Sequence, residues 1–124
     1  MDAITVNLNN SSFVIEEPTI GQIMEIESLK LAYTVNNYSY MSQVPMKLAN
    51  LNLDIVDSVA TFQVLIPKLK ELYNVDNITK LKAAQARELI HQYKNVFFPW
   101  FKKVQEQLDV PYEEDQKDQP EKNG

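Results

Sequence analysis

The chain has 124 residues, 44% of them apolar, which suits one domain with a core of its own and is too apolar for a disordered polymer. With no cysteine, one histidine and two glycines, it has no means for disulfides, thiolate metal sites or phosphate-cradling glycine loops, and few for nucleophile–base catalysis. A net charge of -5 and a pI near 4.8, with a single arginine, oppose a surface that neutralises nucleic-acid phosphates.

The opening Met1-Asp2-Ala3-Ile4 has neither the basic start nor the apolar run of a secretion signal. No stretch approaches the roughly 20 apolar residues that span a bilayer, and the absence of cysteine makes a cytoplasmic chain the expectation. Ile4-Thr5-Val6-Asn7-Leu8 alternates with period two, as does Phe13-Val14-Ile15 after the polar Asn9-Asn10-Ser11-Ser12. This predicts a β-hairpin whose apolar face packs on helices and whose edges are open to strand addition.

Pro18 stops the second strand, and Thr19-Ile20-Gly21-Gln22 fits a capping box that opens a helix. Glu16 and Glu17 precede that positive helix end. The helix is expected to run to about Tyr33, burying Ile20, Ile23, Met24, Ile26 and Leu31, and to end at Asn36-Asn37. Pro45 predicts a short helix carrying Met46, Ala49 and Leu51. A second begins at Asn52 or Leu53, with Ile55, Val56, Val59, Phe62 and Ile66 on one face and Asp54 and Asp57 in its first turn, until Pro67 breaks it. Lys68 to Tyr73 reads as one further turn. Ala86, Ile90, Tyr93, Phe97, Trp100, Val104 and Leu108 recur at spacings of three and four, giving a long helix. Pro99 makes it either a kinked continuous helix or two helices. After Val110-Pro111 the composition collapses to polar residues, so residues 1–110 read as one domain and 111–124 as a flexible acidic tail. The fold class is α+β, mainly α: a hairpin followed by a four- to five-helix bundle.

Charge is graded along the chain. Residues 1–29 hold five acids and no Lys or Arg, residues 68–103 carry +5, and the last fourteen carry -3. The gradient fits helices that each solvate an outer face, or a head-to-tail attraction between copies or toward a partner.

Glu88 and His91 have the Glu-x-x-His spacing of carboxylate-bridged metal bundles, but such sites need a second copy of that motif, and there is no second histidine. Asp54 and Asp57 fit carboxylates stabilising a helix start. Glu25 and Glu27 point apart on a helix, as Glu16 and Glu17 do on a strand. No catalytic, cofactor-binding or metal-binding residue is assigned, and the chain is expected not to be an enzyme. Tyr93, Phe97 and Trp100 lie on the main stripe of the last helix, while Phe98 and Phe101 lie off it. Either that helix is buried on two sides or the second strip binds protein. Candidate contact residues are Phe98, Trp100 and Phe101, with Lys102 and Lys103 as a rim.

Glu17-Pro18-Thr19-Ile20-Gly21-Gln22, Ile26-Glu27-Ser28-Leu29-Lys30, Tyr38, Leu53-Asp54-Ile55-Val56-Asp57, Leu65-Ile66-Pro67, Glu88-Leu89-Ile90 and Pro99-Trp100 together resemble the small phage tail assembly chaperones over most of residues 13–101. The resemblance implies a short hairpin before a helical bundle, and a protein that keeps the aggregation-prone tape measure soluble during tail assembly in the host cytoplasm. The expected partner is then a tape-measure, tail or virion protein, with no nucleic acid, membrane or cofactor and with a homo-oligomer open. A structural virion component that oligomerises is the alternative. An enzyme of unfamiliar design and an anti-host regulator are further rivals.

Overall fold

A computed structural model describes residues 3–43 and 47–109. Strands β1 (Ile4–Leu8) and β2 (Ser11–Ile15) form an antiparallel hairpin in which Val6 faces Phe13 and Ile4 faces Ile15. Its two-residue turn works because Asn9 and Asn10 both take the left-handed conformation, with φ of 51° and 63°. Asparagine tolerates that region, and its twist matches that of the paired strands. The turn is thus two residues shorter than the polar run, and Ser11 and Ser12 belong to β2.

A lone hairpin is marginal in water. Here Val6, Leu8 and Ile15 are buried in the core, each worth up to about 2 kcal/mol. Helical side chains also cap this end of the hairpin. Asn7 N–H of β1 donates to Gln92 Oε1 at 3.0 Å, and Asn9 N–H in the turn donates to Glu88 Oε1 at 2.9 Å.

Helix α1 (Ile20–Tyr33) starts on the expected capping box: Gln22 N–H donates to Thr19 Oγ1 at 3.1 Å, and Thr19 N–H to Gln22 Oε1 at 2.9 Å. It ends at Tyr33, where buried Thr34 donates its hydroxyl to the Lys30 carbonyl and Asn36 N–H closes on the Leu31 carbonyl. Its burial departs from the expected stripe. Ile26 is buried, but Ile20, Met24 and Leu31 are exposed. At 100° per residue these three lie opposite Ile26 and Tyr33, so only the latter face can reach the neighbouring helix.

Helix α2 (Tyr38–Gln43) was not expected from the sequence. Helix α3 (Lys47–Leu65) is one helix where two were expected. Pro45 and Met46, placed in the first of those two, lie outside the described residues. Because α3 begins at Lys47, Asp54 and Asp57 sit in its third turn and cannot serve as helix-start carboxylates. Around Ser58–Phe62 every residue of α3 is buried, which makes it the central helix. Ser58, Ala60 and Thr61 are small enough for neighbours to approach on several sides, and Ser58 returns its hydroxyl to the Asp54 carbonyl at 2.8 Å.

Pro67 follows the end of α3, and the short α4 (Leu69–Leu72) and a 3-10 turn (Ile78–Lys80) lead to α5 (Ala83–Gln92). A π-helical turn over Tyr93–Phe97 then carries the chain into α6 (Phe98–Asp109). Pro99 has no N–H to give and its ring crowds the carbonyl four residues back. The preceding turn opens instead, with Phe98 N–H donating to the Tyr93 carbonyl. Of the two expectations, the continuous helix holds, with the π-turn as its interruption. The wider turn also keeps Leu89, Tyr93 and Phe97 in line at successive spacings of four, and all three are buried. Leu89, absent from the expected stripe, is fully buried, whereas Leu108 at the helix end is exposed.

Phe62 anchors the core, with Tyr93 and Phe97 set edge-on at 6.2 and 5.8 Å. No helix among the described residues is long and apolar enough to cross a membrane. The expected tail, 111–124, lies outside the described residues.

Candidate protein-binding cleft

Helices α1, α2 and α3 and the π-turn with α6 enclose a cleft of about 270 Å³. Ile23 and Ile26 of α1 line it together with Phe98 and Phe101, and Lys30, Tyr38, Asp57 and Thr61 complete its walls. The local fold explains each placement. Lys30 falls on the inner face of α1 with Ile23, Ile26 and Tyr33, and Asp57 falls one turn after buried Leu53 on α3. Tyr38 opens α2 directly over them.

The charged groups satisfy one another. Tyr38 donates its hydroxyl to Asp57 Oδ1 at 2.7 Å. Lys30 Nζ lies 3.7 Å from the same oxygen and 3.1 Å from Glu27 Oε2, and sits 5.6 Å from the Tyr38 ring centroid. Burial raises the Asp57 carboxyl above its ordinary value. Tyr38 and Lys30 pull it back, while Asp54 and Glu27 push it further up. The Tyr38 hydroxyl is held above its ordinary range by burial first and then by its bond to Asp57. The buried Tyr93 hydroxyl is raised in the same way, with a hydrogen bond to Thr61 opposing the rise.

Phe98 and Phe101 come together on the cleft wall. Phe101 is half-buried and stacked on Phe97 at 5.2 Å, whereas Phe98 is 37% exposed and tilted against Tyr93 at 5.9 Å. Lys102 and Lys103 are exposed on the next turn. Trp100 packs against Phe97 at 5.6 Å and does not line the cleft. The candidate contact residues therefore divide into a cleft wall and a core-packed tryptophan.

Glu88 and His91 serve separate partners. Glu88 accepts from the Tyr73 hydroxyl and Asn9 N–H, while His91 Nδ1 meets the Asn95 amide at 3.1 Å. Among the described residues no group of three His, Asp or Glu side chains is placed to hold a metal ion.

No protein family, curated protein or solved structure matches this chain. Sequence reasoning overlooked Lys30, Tyr38 and Asp57. The available signal was charge at inward positions: Lys30 shares a stripe with Ile23 and Ile26, and Asp57 lies four residues from both Leu53 and Thr61.

Proposed function

We propose that this chain is a non-enzymatic assembly factor that shelters an apolar segment of another protein, as a phage tail assembly chaperone does for the tape measure in the host cytoplasm. The observation that carries this reading is the chemistry of the cleft. Its charged groups are mutually satisfied at hydrogen-bond and ion-pair distances, while Phe98, Phe101 and Ile23 remain on the walls to receive apolar side chains. Such an arrangement favours contact over reaction, because a client gains by covering the walls without breaking the floor.

The test is co-expression with a phage tape-measure protein, reading the soluble fraction of the client with and without the chain. Phe98→Ser should abolish the solubilisation while the folded chain keeps its thermal midpoint within a few degrees, and adding Phe101→Ser, which removes the ring stacked on Phe97, should lower that midpoint further. Phe98→Ser alone guards against unfolding, since that ring is more than one-third exposed. Retained solubilisation by both folded variants would overturn the reading. A structural virion component is the second reading, and it is favoured by the exposed apolar side of α1. It calls for multimers of the chain together with no effect of the chain on the client's solubility.

A further inference from the structure

Two separate surfaces of the molecule have complementary chemistry. On α1, Ile20, Met24 and Leu31 are 61%, 66% and 45% exposed along one line of the helix. The charge around them is acidic, since Glu16, Glu17 and Glu25 are exposed and residues 1–29 contain no lysine or arginine. Apolar side chains aligned on the solvent side of a helix mark a surface that is covered in use.

The second surface is a groove of about 330 Å³ between the end of α1, α3, the 3-10 turn and the start of α5. Tyr33, Ile55, Val56, Ile78, Leu81 and Ala86 give it apolar walls. Two exposed cations adjoin its lining along the chain: Lys82 lies between groove-lining Leu81 and Ala83, and Arg87 follows Ala86. Lys80, next to Leu81, is paired with Asp76.

We propose that these surfaces bind each other between copies of the chain. Ile20 and Met24 of one molecule enter the groove of the next, and Glu17 and Glu25 meet Lys82 and Arg87. The contact cannot form within one molecule. Tyr33 of the groove lies on the same rigid helix as Met24, nine residues on, or roughly 14 Å along the axis. Because the two patches differ, the contact is head-to-tail and adds copies in a row unless the rotation closes a ring. It is independent of any client held in the cleft, which α1 lines with Ile23, Ile26 and Lys30 and not with Ile20 or Met24.

Sedimentation velocity of the full chain, over a range of concentrations at roughly 50 mM and 500 mM NaCl, tests the proposal. Wild type should gain mass with concentration and associate about tenfold more weakly at the higher salt. Ile20→Asp with Met24→Asp removes the apolar α1 face and keeps it acidic but leaves the groove, and Lys82→Glu with Arg87→Glu does the reverse. Each variant alone should be monomeric. Their mixture should give a 1:1 heterodimer and nothing larger, because one intact face of each remains. A wild type that stays monomeric at low salt, variants that associate as wild type does, or a mixture that stays monomeric would each overturn the proposal. Binding of an added basic amphipathic peptide to the α1 face of a monomeric wild type would assign that face to a different protein.

Discussion

Replacing Lys30 by methionine removes the cation that faces Asp57 while keeping the length and apolar stem of the side chain. Lys30 and Asp57 are 13% and 21% exposed at their side chains and 3.7 Å apart, between the exposed pairs worth under about 1 kcal/mol and buried ones whose disruption costs about 3–5 kcal/mol. A loss of about 2 kcal/mol is expected, or roughly 8–12 °C in the thermal midpoint. The loss comes mainly from leaving Asp57 charged, half-enclosed and beside Asp54 and Glu27. Asp57→Asn keeps an acceptor for the Tyr38 hydroxyl and should cost little, so the double variant should recover most of the loss. The pH dependence has a definite sign. Burial raises the folded Asp57 carboxyl above its ordinary value of 3.8, so the folded chain binds its proton more tightly than the unfolded chain. Stability from this group is fully present below that ordinary value and declines as pH rises through the folded one. Asp57→Asn should abolish the decline, and Lys30→Met should steepen it. Urea denaturation of the four proteins across that pH range measures both effects. Lys30→Met within about 0.5 kcal/mol of wild type, or a double variant no better than Lys30→Met, would refute the reasoning.

Phe62→Ala should cost about 4 kcal/mol, because it empties the space between Tyr93 and Phe97 at the centre of the core; urea denaturation reads it directly. Val35→Asn should gain about 1 kcal/mol, since Val35 is exposed with φ of 53° and a β-branched residue is strained there. A matched thermal scan would show the midpoint rise. Thr19→Ala should lose about 1 kcal/mol with the cap on Gln22 N–H, seen as a lower denaturation midpoint with an unchanged slope.

What was legible in the sequence was the chemistry that acts locally. Thr19 and Gln22 announce a helix start because their side chains satisfy backbone donors three residues away, whatever surrounds them. The alternation of Ile4, Val6 and Leu8 likewise fixes which face of β1 is apolar. The start of α3 was misread because Asn52 and Asp54 are good helix-start residues, and the helix was already under way from Lys47. That one error hid the cleft floor, since it moved Asp57 from the third turn to the first. On α1 the apolar residues cover two sides, and periodicity cannot tell which side meets α3. Packing decided it for Ile26 and left Ile20 and Met24 outside. The π-turn was equally hidden, because Pro99 signals an interruption without saying how the preceding turn absorbs it.

The most direct measurement is affinity capture of the tagged chain from infected cells, with the bound proteins identified and counted by mass spectrometry. The account predicts recovery of a long, helical tape-measure protein from wild type and its loss from the folded Phe98→Ser variant. Recovery of only the chain itself with tail or capsid components in fixed stoichiometry, unaffected by that substitution, would contradict it.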